Sequence, residues 1–367
     1  MRCIFTGGGT LGHTYPAIAV AERIRKIDDK AEILFLMRKN GSENKYVLER
    51  GFKLIEIPSE GFCRNKGILE FIKTGVTATK GIYQCIKIIN RFNPKFIFGT
   101  GGYVSFGPLM AGLIKKIPTF IHESNSTPGL VTKLTVQFGA IPLVSTEETK
   151  RRLYFSKKEC TIVGTPLLKD FDTISKSKAR AELGIKNDKI FILSFGGSGG
   201  SKTINDIVIS LMSKQEARNL NVLHLHATGE KYFEDVKNKY ENLACGQNGQ
   251  KIVSKIENMA LYMNAADIII CRCGASTLSE IAAVGRAAIL IPSPNVTDNH
   301  QYKNGKYLAD KKAALLIKEE DLTEELLKEK ISLLVESEIT RKTFEKNISK
   351  LKNYNAANAI ADILLKI

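Results

Sequence analysis

Ile190-Phe-Ile-Leu-Ser-Phe-Gly-Gly-Ser-Gly-Gly-Ser201 decides the fold: six strand-forming residues run straight into a glycine loop. The same plan stands at the start of the chain, where Arg2-Cys-Ile-Phe5 leads through Thr6-Gly-Gly-Gly-Thr-Leu-Gly-His-Thr-Tyr-Pro16 toward an apolar helix predicted over Ala17 to Ile24. Glycines at such a turn permit positive φ and close backbone approach, and the helix that follows offers N–H groups and a positive dipole end to an anion. Around each loop, strand-like runs alternate with helical spacing. In the first half they are Arg2 to Phe5, Glu32 to Leu36, Lys95 to Phe98, Pro118 to Ile121 and Pro142 to Ser145. In the second half they are Ile190 to Phe195, Asn221 to Ala227, Lys251 to Val253, Asp267 to Cys271, Ala287 to Ile291 and Ala313 to Ile317. Alternation of this kind predicts an α/β fold of two doubly wound parallel-sheet units in tandem.

Val163-Gly-Thr-Pro166 and the polar run Asp172-Thr-Ile-Ser-Lys-Ser-Lys178 punctuate the middle of the chain and mark the hinge. The expected domains are residues 1–163 and 164–340, with 341–367 as a C-terminal helix packing back across the hinge. Ligands of open parallel sheets bind beyond the carboxyl ends of the strands, so both sets of loops are expected to line one cleft.

Composition narrows the class. The chain has 367 residues, 43% hydrophobic and 25% charged, which excludes a disordered or disulfide-stapled chain. No uncharged apolar run approaches the ~20 residues of a membrane-spanning helix. The first residues lack a secretory signal, and the seven cysteines form no Cys-x-x-Cys pair, so a reducing, cytoplasmic setting is expected. The net charge is +16; of 54 basic and 38 acidic residues, 25 and 13 fall in residues 1–163, which therefore carry +12. That asymmetry points the first half toward an anionic partner. Nucleic acid is not the expected one, because no helix-turn-helix, zinc finger or aromatic RNA-binding motif accompanies the charge.

The polar residues collect where strands are expected to end. His13 sits in the first glycine loop, where a nucleotide-binding turn avoids bulk. Gly99-Thr-Gly-Gly-Tyr-Val-Ser-Phe-Gly107 and His122-Glu-Ser-Asn125 follow later strands of the same half. In the second half, Ser198 and its neighbouring amides form the better diphosphate cradle. Cys271-Arg-Cys-Gly-Ala-Ser-Thr-Leu-Ser-Glu280 follows a strand and opens a helix, and Glu280 has the chemistry to accept two ribose hydroxyls. Ser276 and Thr277 have the alternative of capping that helix. Asp298-Asn-His-Gln-Tyr302 offers amide and imidazole groups for sugar hydroxyls. His224-x-His226 lacks the companions of a metal site, so no metal is expected.

Taken in order, Gly8-Gly-Thr-Leu-Gly-His-Thr-Tyr-Pro16, Gly101-Gly-Tyr-Val-Ser105, His122-Glu-Ser-Asn125, Gly196-Gly-Ser198, Cys271 to Glu280 and Gln301-Tyr302 resemble the signature series of the MurG family over nearly the whole chain. The resemblance implies a GT-B fold and transfer of N-acetylglucosamine from UDP-GlcNAc to the C4 hydroxyl of the MurNAc of lipid I, giving lipid II for peptidoglycan synthesis, with no cofactor; with no Asp-x-Asp or histidine cluster read for Mg²⁺, the transfer is expected to be a direct, metal-independent displacement with inversion. It implies that the acceptor and the reacting centre meet Thr10, Gly12, His13 and Asn125; imidazole chemistry makes His13 the candidate general base, the alternative being a bond to substrate phosphate or orientation of the loop. Ile256 would contact uracil and Glu280 the ribose; Ser198 with the Ala275-Ser276-Thr277 backbone would hold the diphosphate, and His300 with Gln301 the sugar. The implied partners are UDP-GlcNAc, lipid I, an anionic membrane surface on the cytoplasmic side of the cell membrane and other cell-wall synthesis proteins. This chain departs from the pattern at Leu168, where members carry arginine, which shifts diphosphate compensation to backbone dipoles or to Lys202. Ser124 and His300 stand where the family has glutamine.

Two other readings compete: a GT-B enzyme acting on diacylglycerol or another lipid acceptor, and a UDP-sugar sensor without turnover. For the membrane, Lys66, Lys73, Lys80 and Lys87 recur every seven residues among Ile68, Leu69, Ile72, Val76, Ile82, Tyr83 and Ile86. This is the composition of a helix resting in lipid headgroups, or of an ordinary surface helix with its apolar side in the core. Leu113 to Lys116 is the second place to look for a docking face.

Overall fold

The computed structural model describes residues 1–60, 68–215, 221–242, 249–352 and 355–367, without the side chains of 68–75, 213–215, 242 and 297. The chain divides into two compact units, Met1–Leu168 with Asn355–Ile367, and Lys169–Tyr354.

The first unit holds seven parallel strands: β1 (Arg2–Thr6), β2 (Glu32–Arg38), β3 (Lys53–Ile57), β4 (Phe96–Gly99), β5 (Thr119–Glu123), β6 (Ile141–Val144) and β7 (Thr161–Ile162). Their spatial order is β3-β2-β1-β4-β5-β6-β7. The second unit holds β8 (Ile190–Phe195), β9 (Val222–Ala227), β10 (Gln250–Val253), β11 (Ile268–Cys271), β12 (Ala287–Leu290) and β13 (Leu315–Leu316), in the order β10-β9-β8-β11-β12-β13. Each sheet reverses its winding once, between β1 and β4 and between β8 and β11. Outside the carboxyl ends of those strand pairs lies the crevice where doubly wound sheets bind ligands.

The central strands are apolar runs because both faces are covered. In the first unit Phe5 is fully buried, with Phe35 and Phe98 at ring-centroid distances of 5.5 and 5.4 Å. In the second, Ile192, Ile268, Ile270 and Ile289 are fully buried between the helix layers.

The helix after the first loop runs Leu11–Ile27, earlier than the sequence predicts, and carries Pro16 inside it. His13 is therefore in a first helical turn, His122 is the fourth residue of β5, and His300 opens the helix His300–Asp310. All three still cluster at carboxyl-terminal sheet edges. The 25-residue helix Ile68–Phe92 carries the described part of the basic stripe. Lys66 lies outside the described residues, as do the side chains of Ile68, Leu69, Ile72 and Lys73. Ile82 and Ile86 pack against the core, whereas Val76, Lys80, Tyr83 and Lys87 are exposed, so the expected single stripe splits between two faces. No described helix is long and apolar enough to cross a membrane.

Candidate functional site

In the first unit the loop after β1 and the loop after β4 meet around His13. The imidazole Nδ1 lies 2.9 Å from the Thr100 carbonyl oxygen. A carbonyl only accepts, so Nδ1 carries the proton and Nε2 presents a lone pair. Thr100 Oγ1 in turn donates to the His13 carbonyl at 2.5 Å. Gly101 (φ +89°) and Gly102 (φ +73°) run beside the ring, and a Cβ on Gly101 would sit 3.3 Å from Nδ1. Positive φ and the missing side chains let the backbone serve as the wall that orients the imidazole.

Thr10 is the N-cap residue, exposed, and its side chain makes no capping bond, so the hydroxyl is turned to solvent. Gly12 is half-buried in the same turn. The Gly9 N–H donates to Glu43 Oε1 at 2.7 Å, and the Arg38 guanidinium donates to both Glu43 oxygens at 2.8 and 3.0 Å. Burial works against the Glu43 charge, but the Arg38 fork and the Gly9 amide outweigh it and hold the carboxyl below its ordinary range. Sequence reasoning missed this pair, because Glu43 lies 34 positions from the amide it anchors.

Asn125, at the carboxyl end of β5, is fixed by Glu123. The buried Glu123 carboxylate accepts from the Asn125 N–H (3.0 Å), Asn125 Nδ2 (2.9 Å), the Gly129 N–H (2.9 Å) and Thr132 Oγ1 (2.7 Å). These four donors tie the carboxylate to the loop and to the helix Leu130–Gln137 that follow β5. Asn125 is held by its amide nitrogen, which leaves its carbonyl facing away from Glu123. His122 is fully buried, its Nε2 2.8 Å from the Gly164 carbonyl, and burial pulls its imidazole down to about 4. It braces the end of the sheet.

In the second unit the equivalent crevice is flanked by the loop after β8 and the loop after β11. Gly197 (φ +85°), Ser198 and Gly199 are exposed, with open space around Gly197 and Gly199. Lys202 opens the helix Lys202–Gln215 and is exposed. The helix Ala275–Val284 is capped by Gly274 without a side-chain bond, so capping does not explain Ser276 and Thr277. Its first intrahelical bond is Leu278 N to Gly274 O, so Ala275, Ser276 and Thr277 make up the first turn at the positive end of the helix, where an anion is favoured.

Glu280 lies on the second turn of that helix, half-buried, and burial pushes its carboxyl up to about 7. Among the described residues no donor bonds it. Gln301 Oε1 accepts from the Ser293 N–H (2.9 Å) and the Cys273 N–H (3.3 Å), tying together the ends of β11 and β12 while its amide nitrogen stays available. His300 stands beside it, half-buried. Ile256 is half-buried on the segment between β10 and the helix Met259–Ala265.

Arg272, between the two buried cysteines, is the organiser that motif reading passed over. Its guanidinium donates to Ser201 Oγ at 2.6 Å and to the carbonyls of Ile291 and Pro292 at 3.2 Å each, and pairs with Glu319. Glu319 also accepts from Thr203 Oγ1 at 3.3 Å. One ion pair thus joins the glycine loop to the ends of β11 and β12. Leu168 is buried at the end of the first unit. Among the described residues no group of three or more His, Cys, Asp or Glu has metal-binding geometry. Asp170-Phe-Asp172 has the Asp-x-Asp spacing that the metal-independent reading passed over; it forms a four-residue helix in which Asp172 pairs with Lys352 at 3.3 Å.

Residues 3–140 match the model of the glycosyltransferase family 28 N-terminal domain, and residues 191–360 that of the family 28 C-terminal domain. The chain is 40% identical, over 100% of both sequences, to the UDP-N-acetylglucosamine--N-acetylmuramyl-(pentapeptide) pyrophosphoryl-undecaprenol N-acetylglucosamine transferase of Thermoanaerobacter sp. (strain X514). It is 34% identical to the Bacillus subtilis (strain 168) enzyme of that name over 99% of each. The crystal structure of Acinetobacter baumannii MurG, 23% identical, superposes with a TM-score of 0.75 over 100% of this chain and 99% of that one, and shares the fold. On these grounds the chain belongs to glycosyltransferase family 28 and, within it, to the MurG N-acetylglucosaminyltransferases.

Proposed function

We propose that the protein transfers N-acetylglucosamine from UDP-GlcNAc to the C4 hydroxyl of the MurNAc of lipid I, releasing UDP and giving lipid II. The observation that carries this reading is the placement of His13 and Asn125 at the crevice of one sheet and of Ser198, Glu280 and Gln301 at the crevice of the other, in a chain whose full-length relatives are named for that reaction.

The first crevice supplies the base. His13 Nε2, the acceptor nitrogen of the neutral ring whose Nδ1–H bonds Thr100, takes the proton of the acceptor hydroxyl as its oxygen attacks the sugar C1; general bases of this kind contribute about 10² to 10⁴ in rate. The bond from C1 to the diphosphate oxygen breaks from the opposite face, so the anomeric centre inverts. Asn125 and Thr10 orient the acceptor, and Gly12 leaves it room. The second crevice supplies the donor site: Glu280 on the ribose, Ile256 on the uracil, His300 and Gln301 on the sugar. The negative charge developing on the diphosphate meets Ser198, the start of the helix Lys202–Gln215 and the amides of Ala275, Ser276 and Thr277. These groups stabilise the leaving UDP without a metal.

Docking on an anionic membrane brings the polyprenyl tail of the acceptor within reach. Exposed Val76 and Tyr83 share a helix face with exposed Lys80 and Lys87, and Lys87 Nζ lies 4.5 Å from the Tyr83 ring centroid. Ile114, Lys115 and Lys116 add a second exposed apolar and basic cluster. Both support a surface seated in headgroups. Radiolabelled UDP-GlcNAc incubated with lipid I should give labelled lipid II. Label transferred to diacylglycerol and not to lipid I would overturn the acceptor, and UDP-GlcNAc bound without turnover on any acceptor would favour the sensor.

A further inference from the structure

Behind the second glycine loop lies a buried polar chain that no role assigned above uses. Ser194 Oγ, on β8, is 2.8 Å from His224 Nε2 and 2.8 Å from His226 Nδ1, both on β9. His226 Nε2 is 3.0 Å from Asn205 Oδ1, and Asn205 Nδ2 donates to the Thr228 carbonyl at 3.0 Å. Ser194, Asn205, His224, His226 and Thr228 are each at most 2% exposed.

Donor and acceptor chemistry fixes every proton in the chain. The Thr228 carbonyl can only accept, so the Asn205 amide nitrogen faces it and Oδ1 faces His226. Oδ1 can only accept, so His226 Nε2 carries a proton and, in the neutral ring, Nδ1 accepts from the Ser194 hydroxyl. Ser194, its single proton spent, accepts from His224 Nε2–H. This leaves one unsatisfied atom, His224 Nδ1, as an empty lone pair. Burial pulls both imidazoles down, to about 4 and about 3, so the neutral rings the geometry requires are the ones present.

The chain runs one way, from the middle of the sheet to two elements that frame the glycine loop. Asn205 is on the first turn of the helix Lys202–Gln215, which starts directly after Ser201, and its N–H donates to the Ser201 carbonyl at 2.9 Å. Thr228 and Gly229 form the opposite wall: Gly200 (φ +71°) packs so tightly on them that a Cβ there would collide with the Thr228 carbonyl oxygen. Asn205 therefore clamps the helix start to the same carbonyl that the loop rests on.

We infer that Asn205 and His226 are positioning residues for the donor diphosphate: the chain sets the spacing between the helix start and the Thr228–Gly229 wall, and with it the cradle Gly196–Ser201. The inference rests on the proposed role of that loop as the diphosphate site. Asn205→Asp keeps the volume but turns a second acceptor on the Thr228 carbonyl, and His226→Leu removes the donor to Asn205, whereas His226→Gln retains one. Titration calorimetry with UDP and with uridine separates the cradle from the rest of the nucleotide site. Asn205→Asp and His226→Leu should each weaken UDP about tenfold while uridine affinity stays within twofold, and His226→Gln should bind UDP within a few-fold of the parent. Asn205→Ala, which leaves the carbonyl unbonded but adds no charge, gives the same comparison if the aspartate variant fails to fold. Equal losses for UDP and uridine, or unchanged UDP affinity in Asn205→Ala and His226→Leu, would overturn the inference. A parent protein that binds UDP no more tightly than uridine would overturn the diphosphate reading itself, and the inference with it.

Discussion

Replacing Glu280 by glutamine should stabilise the protein at alkaline pH and weaken its hold on UDP. Burial pushes the Glu280 carboxyl from its ordinary 4.5 up to about 7, and among the described residues no donor offsets that cost. Between those two values the folded chain keeps a proton that the unfolded chain has released. The stability this proton represents is fully present below about pH 4.5 and is lost as pH rises through 7. The gap is worth at most about 3 kcal/mol at 1.36 kcal/mol per pH unit, and because the side chain is half-exposed, solvent screening leaves about 1–2 kcal/mol. Glutamine has nearly the same shape and never ionises. Urea denaturation should therefore find Glu280→Gln equal to the parent at pH 4.5 and about 1–2 kcal/mol more stable at pH 8.5.

UDP binding should move the other way. An ionised carboxylate accepts two ribose hydroxyls, and exchanging it for an amide costs about 1–3 kcal/mol, the scale of a charged hydrogen bond. In the parent, affinity should rise with pH through 7, above the range where the nucleotide's own phosphate titrates; in the variant that rise should vanish. A variant with the parent's stability profile and an unchanged UDP affinity at pH 8.5 would refute the ribose assignment and the account of the carboxyl together.

His13→Ala should keep UDP affinity within twofold while turnover drops by about 10² to 10⁴, as expected for a base on the first unit; turnover within a few-fold of the parent would remove His13 from that role. Charge reversal at Lys80 and Lys87 should reduce sedimentation with anionic vesicles, each lysine contributing up to about 1 kcal/mol, and the parent's binding should fade as salt rises. Unchanged sedimentation would redirect the docking face to Ile114, Lys115 and Lys116. Burial holds His122 and His224 at about 4 and His226 at about 3, while the unfolded chain protonates its histidines near 6.5. The stability they confer is present above about pH 6.5 and lost as pH falls toward 4, so the denaturation midpoint should drop across that window; a flat midpoint from pH 7 to 4.5 would contradict their neutral burial.

Strands β1 and β8 were legible because a strand covered on both faces must be a continuous apolar run, and both glycine loops follow such runs. Strands β3 and β7 were not. Lys53-Leu-Ile-Glu-Ile57 is an edge strand with three exposed residues, and charge on an edge guards against pairing with other chains, which makes it look like a loop. Pro16 reads as a helix boundary, but the helix begins five residues before it, and this moved His13 from a loop into a helical turn. The residues carrying the proposed chemistry were readable because each lies in the loop or first helical turns that follow a strand. Their supports were not: Glu43 serves Gly9, Arg272 serves Ser201 and Asn205 serves Thr228 across sequence separations of 34, 71 and 23 residues, and those contacts exist only once the sheets have formed.

Those supports also explain why two loops of one plan do different work. Behind the first loop stands the Glu43–Arg38 ion pair, in which Glu43 takes the Gly9 amide, the group that would otherwise face a phosphate. With that amide occupied the loop has one donor fewer for an anion, while the Thr100 carbonyl holds the imidazole by its Nδ1. Behind the second loop stands the Arg272–Glu319 ion pair, whose guanidinium bonds Ser201 at the end of the cradle, and among the described residues no side chain bonds the exposed Gly197–Gly199 turn. Glycine content gives both turns their shape, whereas the distant side chain that takes up a loop amide, as Glu43 does at Gly9, distinguishes the turn proposed to serve a base from the one proposed to hold a leaving diphosphate. Motif spacing alone therefore locates the loops at strand ends of a doubly wound sheet, and on the proposed reading the amides each loop leaves open distinguish the base side from the diphosphate side.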